Sequence, residues 1–109
     1  MHQNILLYLI QVSELEIAEF CQRWQVQELS LFGSILSDDF RPDSDVDVLV
    51  KFKPETRRGL LEMAQMREEL MELFGREVDL VSKRAIEKSQ NWIRRKNILG
   101  TTQVIYVTG

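Results

Sequence analysis

Two short features in the middle of the chain could do chemistry together. Gly33 and Ser34 close an apolar run, Glu28 to Phe32, and ten residues later Asp45 and Asp47 stand in a second run that carries Val46, Val48 and Val50. Strand side chains alternate faces, so the two aspartates point one way and the three valines the other, toward a core. Two carboxylates on one face repel each other, and burial raises the cost. A divalent cation removes the conflict, because Mg²⁺ takes hard oxygen ligands and often only one or two carboxylates plus substrate phosphates. Gly33 lets a backbone approach a phosphate closely. Ser34 would open a short helix whose first N–H groups face an anion. An Asp-x-Asp on a solvated strand end is common, and Gly-Ser alone is weaker still. The pair on adjacent predicted strands, joined by turn-rich residues 37–44, points to metal-assisted phosphate chemistry. Asp79 stands alone between apolar neighbours in a third predicted strand. It is either an edge carboxylate meeting water or Arg76, or a third acidic member of the same site.

The elements that must position these groups follow from periodicity. Residues 1–12 are ambiguous between helix, strand and flexible tail. Ser13 and Glu16 form a capping box, and Leu15, Ile17, Ala18, Phe20, Cys21 and Trp24 recur at helical spacing, which predicts a helix over 14–24. Trp24 reads as core, and Cys21 as a small buried hydrophobe. A strand is expected over 27–32, a short helix over 33–36 and a second strand over 45–52. Asp38, Asp39 and Asp43 read as solvated loop charges, since no strand geometry aims them. A helix over 58–74, built on Leu60, Leu61, Ala64, Met66, Leu70, Leu73 and Phe74, ends at Gly75. A third strand follows over 76–82, then helical stretches over 83–89 and 92–99, and a terminal strand over 103–107. This order predicts an α/β (or α+β) fold, a small mixed sheet with helices packed mainly on one face.

Composition narrows the class. The chain has 109 residues and a net charge of −3, which predicts one domain over 1–109 and argues against broad nucleic-acid binding through a basic surface. The single cysteine, Cys21, excludes an intrachain disulfide. No run approaches the roughly 18 apolar residues of a membrane span. A cytoplasmic protein is expected.

The stretch LFGSILSDDFRPDSDVDVLVKF resembles the GS-x10-D-x-D signature of the DNA polymerase β-type nucleotidyltransferase superfamily. The short chain and the wording of that stretch are similar to its minimal nucleotidyltransferase (MNT) family, from about Ile17 to Tyr106. The resemblance implies Asp45, Asp47 and Asp79 as catalytic and metal-holding residues, two Mg²⁺ ions, and ATP as substrate. It also implies Gly33, Ser34 and Ser44 at the nucleotide. The partner it implies is a HEPN-domain ribonuclease toxin, neutralised by transfer of AMP to a tyrosine hydroxyl. A phenol ionises far more readily than a serine or threonine hydroxyl, which suits it to such transfer.

One position departs from the family. Relatives usually carry an arginine shortly after Gly-Ser, and this chain has Ser37 there. Arginine can grip a triphosphate by paired hydrogen bonds and serine cannot replace its charge; Arg41 is nearby in sequence. An antitoxin that works by binding and occlusion, with weak or no catalysis, is therefore the alternative. A transferase acting on RNA or a small molecule is a third reading, for which a chain of this length leaves little room to hold the acceptor. The Arg94-Arg95-Lys96 cluster is either an ordinary basic helix end or a contact surface. The terminal strand offers an edge for pairing.

Overall fold

The computed structural model describes residues 5–56 and 58–108. Four strands, β1 (Val26–Phe32), β2 (Val46–Phe52), β3 (Val78–Ser82) and β4 (Gln103–Val107), form one sheet in the order β3-β2-β1-β4. β1 is antiparallel to β2 and to β4, whereas β2 and β3 are parallel. A parallel pair needs a crossover, and α3 (Leu60–Phe74) supplies it. The expected mixed α/β architecture is the one observed.

The ambiguous N-terminal stretch contains a helix, α1 (Ile5–Leu9), and buries Leu6, Leu7, Ile10 and Val12; its first four residues lie outside the described ones. Helix α2 (Glu14–Arg23) starts at the expected capping box. The Ser13 hydroxyl accepts from the Glu16 N–H at 3.1 Å, and the Glu16 carboxylate accepts from the Ser13 N–H at 3.0 Å. At the other end of α3, Gly75 adopts φ +67°, and its N–H donates to the Met71 carbonyl at 2.8 Å. That left-handed cap ends the helix where a side chain would be strained.

The β2 valines face the larger core. Val46, Val48 and Val50 meet Leu29 and Leu31 of β1, Ile17, Phe20 and Cys21 of α2, and Met66, Leu70 and Phe74 of α3. Burying each valine contributes about 1.5–3 kcal/mol. The opposite face carries a smaller cluster of Phe32, Leu49, Ile86 from α4 (Lys83–Glu87) and Ile98 from α5 (Trp92–Leu99). Helices thus lie mainly on one face, and two short ones cover part of the other. Burial pushes the Cys21 thiol up to about 12, as expected for a small core hydrophobe. Trp24 packs half-buried on Phe20 and donates its indole N–H to Glu69 at 2.6 Å. Arg23 also pairs with Glu69.

Several expected limits move. β2 begins at Val46, one residue after Asp45, and β3 at Val78 instead of Arg76. Pairing still continues before β3, because the Val46 N–H donates to the Glu77 carbonyl at 3.0 Å. α3 starts at Leu60 and α4 stops at Glu87. Three leucines assigned to helical apolar faces are outside the core, Leu60 among them at 91 % exposed. Leu15 is 68 % exposed, because it precedes Ile17 by about 200° of helical rotation. Leu61 is 70 % exposed, about 140° round from Met66. Among the described residues no helix is long and apolar enough to cross a membrane.

Candidate active site

The sheet register brings the key residues into a row. Phe32 of β1 pairs with Asp47 of β2, and Asp47 pairs with Asp79 of β3. Residues directly opposite across strands share a face, so Phe32, Asp47 and Asp79 project together, away from the valine core. Asp45 lies two residues before Asp47 and is exposed, as is Asp79; Asp47 is half-buried.

Gly33 follows Phe32 with φ +79°, in the left-handed region, and a Cβ built there would lie 2.0 Å from Asp47 Oδ2. The glycine is needed twice over, for its backbone and for the space the Asp47 carboxylate occupies. Spacing alone suggested only the approach of a phosphate. The chain then makes a 3₁₀ turn, Gly33–Leu36, anchored by buried Ile35. Ser34 is half-exposed in that turn. Its carbonyl accepts from the Ser37 N–H at 2.9 Å and from the Ser37 hydroxyl at 3.0 Å. Ser37 therefore closes the turn.

The connection to β2 is held by a group outside the expected site. Arg76 Nη1 donates to the carbonyls of Arg41, Pro42 and Ser44 at 2.8, 3.0 and 3.0 Å. Its guanidinium also lies over the Phe40 ring at 4.3 Å. Arg76 is thus spent on the loop, and no ion pair joins it to Asp79 among the described residues. Ser44 closes a turn just before Asp45. Its hydroxyl accepts from the Arg41 N–H at 2.9 Å, and its own N–H donates to the Arg41 carbonyl at 3.0 Å. Asp38, Asp39 and Asp43 are exposed, as expected for solvated loop charges.

Burial raises the Asp47 pKa above the usual carboxylate range, and the charges of Asp79 and Asp45 raise it further. No lysine or arginine forms an ion pair with Asp45, Asp47 or Asp79 among the described residues. Nor do three acidic, histidine or cysteine groups among them converge into a ready-made metal cage. Asp47 and Asp79 are brought together, and Asp45 stands alongside. Such a set fits Mg²⁺. The oxygens are hard donors, the charges lack a cation, and Mg²⁺ completes its shell with waters and substrate phosphates.

The family model for the nucleotidyltransferase domain matches residues 16–105. The chain belongs to the nucleotidyltransferase domain family. The protein adenylyltransferase MntA of Thermococcus cleftensis is 39% identical over 69 residues, which are 63% of this chain and 68% of that protein. Chains of two solved toxin–antitoxin structures share the fold. A chain of one, solved with AMP-PNP, superposes with a TM-score of 0.69 at 19% identity and covers 89% of this chain and 75% of that one. A chain of the other comes from a tri-AMPylated Shewanella oneidensis HEPN toxin in complex with an MNT antitoxin. It gives a TM-score of 0.63 at 19% identity, covering 91% of this chain and 73% of that one.

Proposed function

We propose that this nucleotidyltransferase moves AMP from ATP to a tyrosine hydroxyl of a HEPN-type toxin and thereby neutralises it. The observation that carries the reading is the Asp47–Asp79 pair across β2 and β3, with Gly33 opened against Asp47, in a chain of this family. The relative MntA is itself a protein adenylyltransferase, and a fold relative comes from a complex with an AMPylated HEPN toxin. ATP consumption suits a cytoplasmic protein.

In this mechanism Asp45 and Asp47 would hold two Mg²⁺ ions. Bound Mg²⁺ neutralises the phosphate charge and lowers the pKa of the attacking phenol. Asp79 completes that ligand set or accepts the phenol proton. Backbone N–H groups at Gly33 and Ser34 orient the triphosphate. Ser44 acts at one remove, by closing the turn that delivers Asp45. The tyrosine oxygen forms a bond to the α-phosphorus as the bond to pyrophosphate breaks, in line. Most of the rate comes from positioning and charge neutralisation.

Ser37 favours a second reading. It is exposed and supplies no cation where relatives usually carry arginine, so occlusion of the toxin without transfer competes with catalysis. Intact-mass spectrometry of the toxin after incubation with this protein, ATP and Mg²⁺ separates the two. A gain of one or more AMP units, absent when Asp45 and Asp47 are replaced by alanine, is the expected result. A stable complex with no mass gain establishes occlusion, and Ser37→Arg then tests whether the missing cation is the cause.

A further inference from the structure

The carboxylate row occupies one end of the sheet, and the opposite end has a feature the proposed chemistry does not use. A cleft of about 520 Å³ opens there between the β2–α3 connection and α4. The chain has 14 cationic and 17 acidic residues; among the described residues, six cationic and two acidic ones line this cleft. A strongly basic pocket therefore sits in an acidic protein. None of Gly33, Ser34, Asp45, Asp47 or Asp79 lines it. Lys51 stands four residues beyond Asp47, about 13 Å along the strand.

The cations are mostly uncommitted. Lys83 pairs with Glu28 at 3.6 Å, and Arg58 donates to the Trp24 carbonyl at 2.9 Å. Lys51, Lys53, Arg84 and Lys88 are exposed and form no ion pair among the described residues. Four like charges held around one hollow repel each other, and an anion relieves that repulsion.

We infer that this cleft docks an acidic, apolar-tipped segment of the acceptor protein. The walls distinguish this occupant from a nucleic acid. Phe52 is the one aromatic residue in the lining among the described residues. It is half-buried, and the Arg58 guanidinium lies 6.0 Å from its ring. No free ring is offered on which bases could stack. The remaining floor is aliphatic, with Val50 and Met63. Beside Met63 in sequence, Leu60 and Leu61 in the first turn of α3 are 91 % and 70 % exposed. Cations around an aliphatic floor and lip complement carboxylates interleaved with apolar side chains. A partner whose tyrosine reaches Asp47 has this cleft within a few residues' reach. That the segment belongs to the acceptor rests on the function proposed above; recognition of an acidic peptide does not.

Fluorescence anisotropy of the full chain tests the inference with three labelled probes: a short Glu/Leu peptide, a Gln/Leu peptide of equal length, and a single-stranded oligouridylate of matched charge. The expected result is binding of the Glu/Leu peptide alone, weakened by salt. Charge reversal at Lys51, Arg84 and Lys88 together should reduce its affinity by about tenfold or more. If the triple variant does not fold, Lys53→Gln and Lys88→Gln singly should each give a smaller loss. Absence of peptide binding, an unchanged affinity in these variants, or tighter binding of the oligouridylate through the same residues would overturn it. Displacement of the peptide by ATP would make the cleft part of the nucleotide site and overturn it too. Asp47→Ala should leave peptide binding intact while removing AMP transfer, so the two readings fail separately.

Discussion

One face of the sheet changes sign along its length. At one end stand Asp47 and Asp79, in the middle Leu49 and Val81, and at the other end Lys51 and Lys83. β2 carries both charges, and Lys83 opens α4 directly after β3. Ile86 and Ile98 cover the apolar band between them. The separation is about 13 Å, longer than the Debye length of about 8 Å at physiological salt, so the lysines do little to relieve the carboxylates. The two ends are also finished differently. Glu28 is within 3.6 Å of Lys83 at the basic end, whereas the aspartates have no cationic partner among the described residues. A chain arranged for stability alone would interleave these charges. Keeping them apart leaves each end in want of a ligand of opposite sign, which in the proposals above would be a metal–phosphate at one and an acidic segment at the other.

The contrast breaks most completely at Asp47. Asp47→Ala should reduce AMP transfer on the order of a thousandfold, because the metal loses its half-buried ligand. The protein should keep its fold, as read by circular dichroism beside the activity assay. Gly33→Ala comes next. The added Cβ collides with the Asp47 carboxylate and must also adopt a positive φ, so stability should fall by about 1–3 kcal/mol. Transfer should fall about a hundredfold as the carboxylate is displaced. Chemical denaturation and initial rates on the same preparation check both.

A subtler effect lies in pH. The native pKa of Asp47 is raised by burial and by its acidic neighbours. Its protonated form is therefore favoured by folding. The stability this contributes is fully present below the ordinary aspartate pKa and is lost as pH rises through the raised native value. Melting temperatures measured in EDTA should show that loss as pH rises from the ordinary aspartate value through the raised native one. Asp47→Asn should flatten the curve, and Mg²⁺ should restore stability to the wild type alone. The smallest change belongs to the basic end. Lys83→Gln removes a partly exposed pair with Glu28 and should cost only about 0.5 kcal/mol by urea denaturation.

Much of this molecule is legible in its residue order because alternation and helical spacing are local signals. The limits of α5 and β4 fall where periodicity puts them, and the β2 valines face the core as their alternation requires. The departures come from what periodicity cannot carry. Leu15 and Leu61 are apolar yet exposed, since helical spacing tells which residues share a face but not how wide the buried stripe is. The chemistry divides in the same way. Asp45 and Asp47 are two residues apart in sequence and easily paired. Asp79 needs the β2–β3 register to meet them, and Arg76 needs the tertiary fold to reach the 41–44 carbonyls. The space Gly33 leaves for Asp47 is a contact between strands and has no mark in either stretch alone. The basic cleft is equally hidden, because its lysines and arginines come from two segments, one running from the end of β2 and one after β3, neither strongly basic by itself.

The parallel pairing of β2 with β3 has a consequence for the order of events as the chain folds. Asp47 and Asp79 meet only once the residues of α3 have carried the chain back across the sheet. Closing that long crossover is slow compared with local turns. A ribosome releases the Gly-Ser turn and the first two aspartates well before their third companion. In the proposed mechanism the newborn polypeptide would hold an incomplete site until β3 has docked, and metal capture would be a late checkpoint that reports a finished sheet.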